Sequence, residues 1–347
     1  MKGKELMSKN IKNILVAGAG GFIGGHLVKR LLNDGFNVVG ADIKPLEFWF
    51  QKFENAKNFS MDLNDYQNCI KVTEGIDGIF NLACNMGGMG FIENNKAECM
   101  LSVLINTNLL RASKLNNVQK LLYSSSACIY NTDLQKDIFV DGLREEQAYP
   151  ANPEDGYGWE KLFSERMCRH FYEDFGIETR VARYHNVYGP FGTFDGGREK
   201  APAAICRKVI DAKLNNKDVI EVWGDGKQTR SFLYIDDCIE GTLKLFNSNF
   251  REPLNIGSDE QVSINQLIEI TEKVSGLKVK RNYLLDKPKG VRGRSSNNDK
   301  LKDVLKWNYS IKLEDGINKT YSWIYENMSK NDPDSKKFTK ADLKNIK

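Results

Sequence analysis

Three histidines in 347 residues, His26, His170 and His185, leave little from which to build a histidine metal site or a Ser-His-Asp triad. The seven cysteines are odd in number and none stands in CxxC spacing. That argues against a disulfide framework or a zinc ribbon and predicts a reduced, cytoplasmic chain without a bound metal. No apolar run approaches the roughly 20 residues of a membrane span, and residues 1–12 lack the apolar core of a signal peptide. Nor is there a field of one sign. Lysine and arginine total 50 against 46 acids, and the net +4 is interspersed along the chain, which gives no reason to expect nucleic-acid or membrane partners. What remains, 41% hydrophobic and 28% charged residues, is ordinary for a soluble globular protein of one large or two fused domains. No internal repeat is present.

The chain is organised around residues 123–161. An apolar run, Leu121-Leu122-Tyr123, breaks into Ser124-Ser125-Ser126-Ala127-Cys128-Ile129-Tyr130, as a buried parallel strand does where it meets a ligand-facing loop. Farther on, Tyr157-Gly158-Trp159-Glu160-Lys161 puts Tyr157 and Lys161 on one face of a predicted helix. An ammonium beside a phenol favours the phenolate, drawing the tyrosine down from its reference pKa of about 10. With the Ser126 hydroxyl to hold the same oxygen, this is a base for an alcohol proton.

Near the N-terminus, the strand 13–16 runs into Ala17-Gly18-Ala19-Gly20-Gly21-Phe22-Ile23-Gly24 and then a helical pattern that ends at Gly35. Gly18, Gly21 and Gly24 permit a tight turn that brings backbone and helix N-terminus, with Phe22 and Ile23, against a pyrophosphate. A second strand, 37–41, ends in Asp42, at the spacing of an acid that binds ribose hydroxyls and repels a 2′-phosphate. NAD is therefore the expected cofactor. After the strand from Gly78 comes Met86-Gly87-Gly88-Met89-Gly90-Phe91-Ile92, read as a loop that is either a lid or plain solvent loop. Residues 95–115 read as one long helix, 131–155 as a polar loop, and 157–175 as a helix.

Taken together, NLAC with MGGMGFI, SSACIY, YGWEK, HNVYGPFGT, GGREKAPAA, WGDGKQTRSF, FREP, NIGSDE and GVRGR resemble the extended short-chain dehydrogenase/reductase family, and within it enzymes that epimerise GDP-sugars. The resemblance covers residues 13–328. It departs at Cys84-Asn85, where alanine and aspartate are usual, and at Asn131, where proline is. It implies an α/β fold: a Rossmann-type doubly wound parallel sheet with a smaller α/β substrate-binding domain toward the C-terminus. Residues 12–186, with returning segments near 231–257, would bind NAD, and 187–330 would mainly bind the nucleotide sugar. The polar, lysine-rich stretch 331–347 is expected to be disordered. A homodimer is also implied.

By the same resemblance Asp62 and Leu63 touch the adenine, and Leu82 and Ala83 line the nicotinamide side together with Tyr157 and Lys161. The implied reaction is NAD-dependent inversion of GDP-mannose at C3 and C5, to GDP-L-galactose and also GDP-L-gulose, through a 4-keto sugar. A GDP-heptose substrate, a C4-epimerase and a 4,6-dehydratase are the alternatives. Oxidation at C4 acidifies the neighbouring carbons. Inversion then needs an acid and a base on opposite sides of the ring; the resemblance assigns Cys128 and Lys200 without saying which is which. Along a strand Cys128 would point the same way as Ser126. Lys200 at a helix start faces the positive end of the dipole, which would lower its pKa. Arg230 and Arg292 are candidates for the diphosphate, with Lys208, Asn186, Gln228 and Thr229 near them. Gly87, Ala127, Glu199 and Ala201 complete the implied substrate contacts, and Arg294 is either a second clamp or solvated.

Overall fold

The computed structural model describes residues 11–287, 290–330 and 333–339. Strand β1 (Asn13–Ala17) is buried over its last four residues, as a strand covered on both faces must be. Its side chains alternate between two layers. Ile14 and Val16 pack with Leu27, Val28 and Leu31 of α1 (Phe22–Asn33), whereas Leu15 and Ala17 join Leu63, Cys69, Leu109 and Leu110 on the other face. There follow β2 (Asn37–Asp42), β3 (Lys57–Ser60), α2 (Tyr66–Thr73), β4 (Gly78–Asn81), α3 (Met89–Asn94), α4 (Lys96–Met100), α5 (Ser102–Leu115), β5 (Lys120–Ser126), α6 (Asp155–Phe175) and β6 (Glu178–Tyr184).

With the strand Leu254–Ile256 beside β6, these make a seven-stranded sheet in the order β3, β2, β1, β4, β5, β6, Leu254–Ile256. Every pairing in it is parallel. The winding reverses between β1 and β4, so a crevice opens at their carboxyl ends. This is the α/β, Rossmann-type class that the motifs imply.

Beyond β6 the elements are short. Helix α7 (Ala201–Leu214) precedes the strand Val219–Trp223, which pairs with Lys280–Leu284. A three-stranded sheet joins Gln261–Ser263, Thr229–Ser231 and Gly293–Arg294. Its register sets Arg294 opposite Arg230, so the two basic loops become neighbours through main-chain bonds rather than through attraction of like charges.

Three expectations are corrected. The glycine-methionine loop contains α3, whose first N–H groups turn on the Gly88 carbonyl; a helix this short, flanked by glycine, shows no periodicity. The helix expected over 95–115 is α4 and α5, separated at Leu101, where the Leu104 N–H reaches the Leu101 carbonyl three residues back. In the stretch expected to be disordered, Pro333–Phe338 forms a 3₁₀ turn and Phe338 is buried. Its ring lies 5.2 Å from Phe50 and 4.8 Å from Trp323. One buried aromatic outweighs several solvated lysines, which composition does not register. Residues 331, 332 and 340–347 lie outside the described residues.

Candidate active site

The nucleotide end is built by the turn after β1. Gly18 has φ +85°, and a Cβ there would stand 2.9 Å from the Ala83 nitrogen. A Cβ on Gly24 would lie 2.1 Å from the Gly18 carbonyl oxygen, so α1 closes onto the turn only with glycine there. Gly21, the residue capping α1, offers no side-chain acceptor to the first helical N–H groups, which leaves them for an anion. Phe22 and Ile23 begin the helix half-buried. Around the same crevice Asp42 ends β2, its Oδ1 accepting the Lys44 N–H at 3.0 Å. Asp62 accepts from Asn64, Leu63 is buried, and the Leu82 N–H reaches the Ala17 carbonyl at 2.9 Å, with Ala83 next to it. This cradle fits a dinucleotide.

At the reacting end Ser126 closes β5, and its Oγ accepts the Cys128 N–H at 3.2 Å, capping a 3₁₀ turn over Ala127–Ile129. Cys128 is therefore on a turn and not on the strand, a correction with a simple cause: a serine hydroxyl competes with the sheet for the backbone. Tyr157 and Lys161 stand one turn apart on α6, both buried. The Lys161 Nζ lies 5.5 Å from the Tyr157 ring centroid and 4.9 Å from that of Tyr123. It is 3.4 Å from Glu160 Oε2 and makes no well-aligned hydrogen bond among the described residues.

The expectation that Lys161 lowers the Tyr157 pKa is not met. Burial pushes this phenol well above its ordinary range, with the Cys84 and Cys128 thiols and Glu160 adding to the rise, against a hydrogen bond from Ser126. For Lys161 burial works against the ammonium, yet Cys84 and Glu160 raise its pKa overall. The Glu160 carboxylate, 3.4 Å from the ammonium, opposes its effect at the phenol.

Lys200 caps α7, and burial lowers its pKa; the Cys128 and Cys84 thiols act on it in the opposite sense. The segment carrying it lies on the glycine pair before α3. The Gly88 N–H reaches the Arg198 carbonyl at 3.2 Å, and a Cβ on Gly88 would stand 2.6 Å from the Glu199 carbonyl oxygen. A Cβ on Gly87 would meet that of Phe91 at 2.7 Å. The Glu199 carboxylate accepts the Gly197 N–H at 2.7 Å, and Ala201 opens α7 half-buried.

On the distal side, Arg230 is drawn down to about 10 by burial first and then by Arg294. Arg292 already holds a carboxylate, Asp225, through two bonds of 3.0 and 3.1 Å. Asn186 donates to the Ser231 carbonyl at 3.1 Å and Gln228 to that of Trp223 at 3.0 Å, while Thr229 donates to Ile138. Lys208 does not join them: its Nζ donates to the Glu221 carbonyl at 2.8 Å.

Arg294 is neither a solvated residue nor an open clamp. It is buried and donates to Cys128, Glu154 and Gln135. Glu154, Glu160 and Gln135 were all missed from sequence, and Cys84 was noted there only as a departure from the usual alanine. Glu160 could have been suspected as a carboxylate adjoining a lysine in a buried helix turn. Nothing in the spacing marks Gln135.

Residues 14–257 match the NAD dependent epimerase/dehydratase family. The chain is 46% identical to GDP-mannose 3,5-epimerase of Arabidopsis thaliana, over 93% of this chain and 84% of that one. It is 47% identical to GDP-mannose 3,5-epimerase 1 of Oryza sativa subsp. japonica, over 91% and 82%. Among solved structures, UDP-glucuronic acid 4-epimerase from Bacillus cereus in complex with UDP-glucuronic acid and NAD superposes with a TM-score of 0.76 at 28% identity, covering 90% of this chain and 99% of that one.

Proposed function

The chain belongs to the NAD dependent epimerase/dehydratase family, and from that premise we propose that it inverts GDP-mannose at C3 and C5 through a transient 4-keto sugar, giving GDP-L-galactose and also GDP-L-gulose. It is an NAD-dependent nucleotide-sugar epimerase. What supports the substrate and the two carbons is the 46–47% identity to GDP-mannose 3,5-epimerases over more than nine-tenths of this chain, together with Cys128 and Lys200, distant in sequence yet near enough for the thiol to act on the charge of the ammonium. A C4-epimerase has no use for such a pair, because it leaves the neighbouring C–H bonds intact.

Gly18, Gly21, Phe22, Ile23 and Gly24 would hold the pyrophosphate of NAD, Asp42 its adenosine ribose, and Asp62 with Leu63 its adenine. Leu82, Ala83, Tyr157 and Lys161 would lie on the nicotinamide side. When bound, NAD accepts hydride from C4 and later returns it. Tyr157 takes the proton of the C4 hydroxyl while Ser126 holds the same oxygen. Burial raises the Tyr157 pKa, and the Lys161 ammonium, 5.5 Å from its ring centroid, is the cation placed to favour the phenolate against it. Cys128 and Lys200 act from opposite faces on the carbons that the ketone acidifies. Gly87, Ala127, Glu199 and Ala201 line the sugar; Asn186, Gln228 and Thr229 lie beside the nucleotide. Arg230 and Arg292 would receive the diphosphate, the latter exchanging Asp225 for it, with Lys208 able to support them only after leaving Glu221.

In heavy water, purified protein with GDP-mannose is expected to place deuterium at C5 and C3 of the product, while C4 keeps its hydrogen. Stoichiometric NADH, or no exchange at either carbon, refutes the reading.

A homodimer is part of the same proposal. Met100, Leu101 and Leu104 near the α4–α5 junction and Trp159 and Phe163 on α6 are 43–56% exposed, on the opposite side of α6 from Tyr157. Light scattering on the eluting protein is expected to give twice the 39.5 kDa chain mass. The cysteines within the described residues, all free, support placing the protein in the cytoplasm. No helix among the described residues is long and apolar enough to cross a membrane.

A further inference from the structure

Arg198 stands two residues before Lys200, yet its contacts run to the other side of the crevice. Nη1 donates to Asn85 Oδ1 at 3.2 Å and to the Met86 carbonyl at 3.0 Å, and the guanidinium carbon lies 3.8 Å from the centroid of the Phe91 ring. In return the Arg198 carbonyl accepts the Gly88 N–H at 3.2 Å. One residue thus grips both the turn that leads into α3 and the first turn of α3 itself. The fit leaves no slack, because a Cβ on Gly88 would meet the Glu199 carbonyl oxygen at 2.6 Å. The same turn is tied from behind, where the Asn85 N–H donates to the Ser102 hydroxyl at 2.9 Å.

What α3 covers gives these contacts a consequence. Ile92 is buried in one apolar cluster with Cys99, Cys128 and Tyr157, and Met86 and Phe91 pack against it. Toward the start of the helix, a Cβ on Gly290 would lie 3.2 Å from the Met89 side chain and 3.3 Å from Arg230 Nη2. Helix α3 therefore reaches from the reacting groups to an arginine proposed for the diphosphate, across the place between them where the sugar would lie. We propose that Arg198 is a positioning residue, a latch that fastens α3 to the segment bearing Lys200, so that the two close over the sugar as one wall and retain the 4-keto intermediate until its hydride returns.

The inference rests on the epimerase reading and on the balance of its first step. Hydride leaves C4 for NAD and the C4 hydroxyl proton goes to Tyr157, so a ketone forms that no covalent bond ties to the protein. Return of both restores the alcohol. If the ketone escapes first, its hydride stays behind as NADH, one for each ketone in solution. A wall closed at both edges keeps that escape slower than the return. Arginine suits the task, since its planar cation stacks on a ring face while its N–H groups donate to acceptors at its rim. Lysine, a point charge on a flexible stem, cannot do both at once.

Hydrogen exchange and turnover are measured on the NAD-loaded protein. In Arg198→Ala the amides of the 86–92 peptide are expected to exchange about tenfold faster. With GDP-mannose, the NADH left per product formed should rise at least about tenfold, matched by 4-keto sugar in solution. Arg198→Lys should fall between, because it keeps the charge and loses the stacking. Phe91→Leu, which removes the ring and serves if the first variant does not fold, is expected to shift both readouts in the same direction by less. A merely structural tie would slow product and NADH formation alike and leave their ratio unchanged. Either readout matching wild type in the variants overturns the proposal. Failure of the wild type to turn over GDP-mannose would sink the epimerase reading instead, and the exchange of the 86–92 peptide would still decide whether Arg198 holds α3.

Discussion

Two buried carboxylate–guanidinium pairs flank the end of β5, one joined by two hydrogen bonds and the other by one, and they differ in what else they touch. Behind the strand, Arg183 holds Glu165 through bonds of 2.9 and 2.8 Å and donates to the Tyr130 hydroxyl and the Glu145 carbonyl. Ser125 donates to Glu165 and Tyr130 to Asn255, which also meets His185. Burial lowers His185 to about 3, so the imidazole is neutral and acts only as a hydrogen-bonding wedge. In front, Arg294 holds Glu154 but spends its remaining terminal nitrogen on a thiol. Successive residues of β5 point to opposite faces, so Ser125 locks into the first network while Ser126 faces the crevice. The first pair is closed on itself and fixes the floor of the site, whereas the second leaves one bond on a group with chemistry.

Removing the thiol is the largest expected break in this comparison. Cys128→Ala should lower epimerisation by about 100- to 10,000-fold with folding, NAD binding and transient NADH retained; Cys128→Ser should recover little. Product formation near the wild-type rate would make the front pair as structural as the rear one. At the rear, Glu165→Ala leaves Arg183 buried without its carboxylate and is expected to cost about 3–5 kcal/mol, measured as a shift of the urea unfolding midpoint. A loss no greater than that of Glu154→Ala would erase the distinction.

A gentler change acts on pH. Glu160 raises the Tyr157 pKa and holds Lys161, so Glu160→Gln should move the acid limb of kcat to lower pH as the phenolate becomes easier to form. An unmoved limb would mean that Tyr157 does not set it. Smallest of all is Arg169→Ala, which removes an exposed partner of Glu173. Its melting temperature should not be distinguishable from wild type, because water already serves both ions.

Local spacing made the cofactor end legible. Gly18, Gly21 and Gly24 with Asp42 state their own geometry within one β–α–β unit, and Tyr157 with Lys161 needs only a helix. The substrate end resisted for a physical reason. Cys128 seemed to lie on a strand because no local pattern says that the Ser126 hydroxyl will cap a 3₁₀ turn there. Arg292 looked like an open anion clamp until the fold supplied Asp225. Lys161 looked like the partner of Tyr157 until Glu160, its own neighbour in sequence, proved to hold it.

By itself the sequence determined the α/β layering and the dinucleotide turn, since each depends on residue type at short spacing. Only the tertiary structure decided the electrostatics in which the reacting groups work. Burial, rather than the nearby ammonium, governs Tyr157. The register of a three-stranded sheet, together with Gln135 and Glu154 from the loop before α6, delivers Arg294 to Cys128. Field and dielectric depend on distances between residues that lie far apart along the chain, and those distances exist only once the chain has folded.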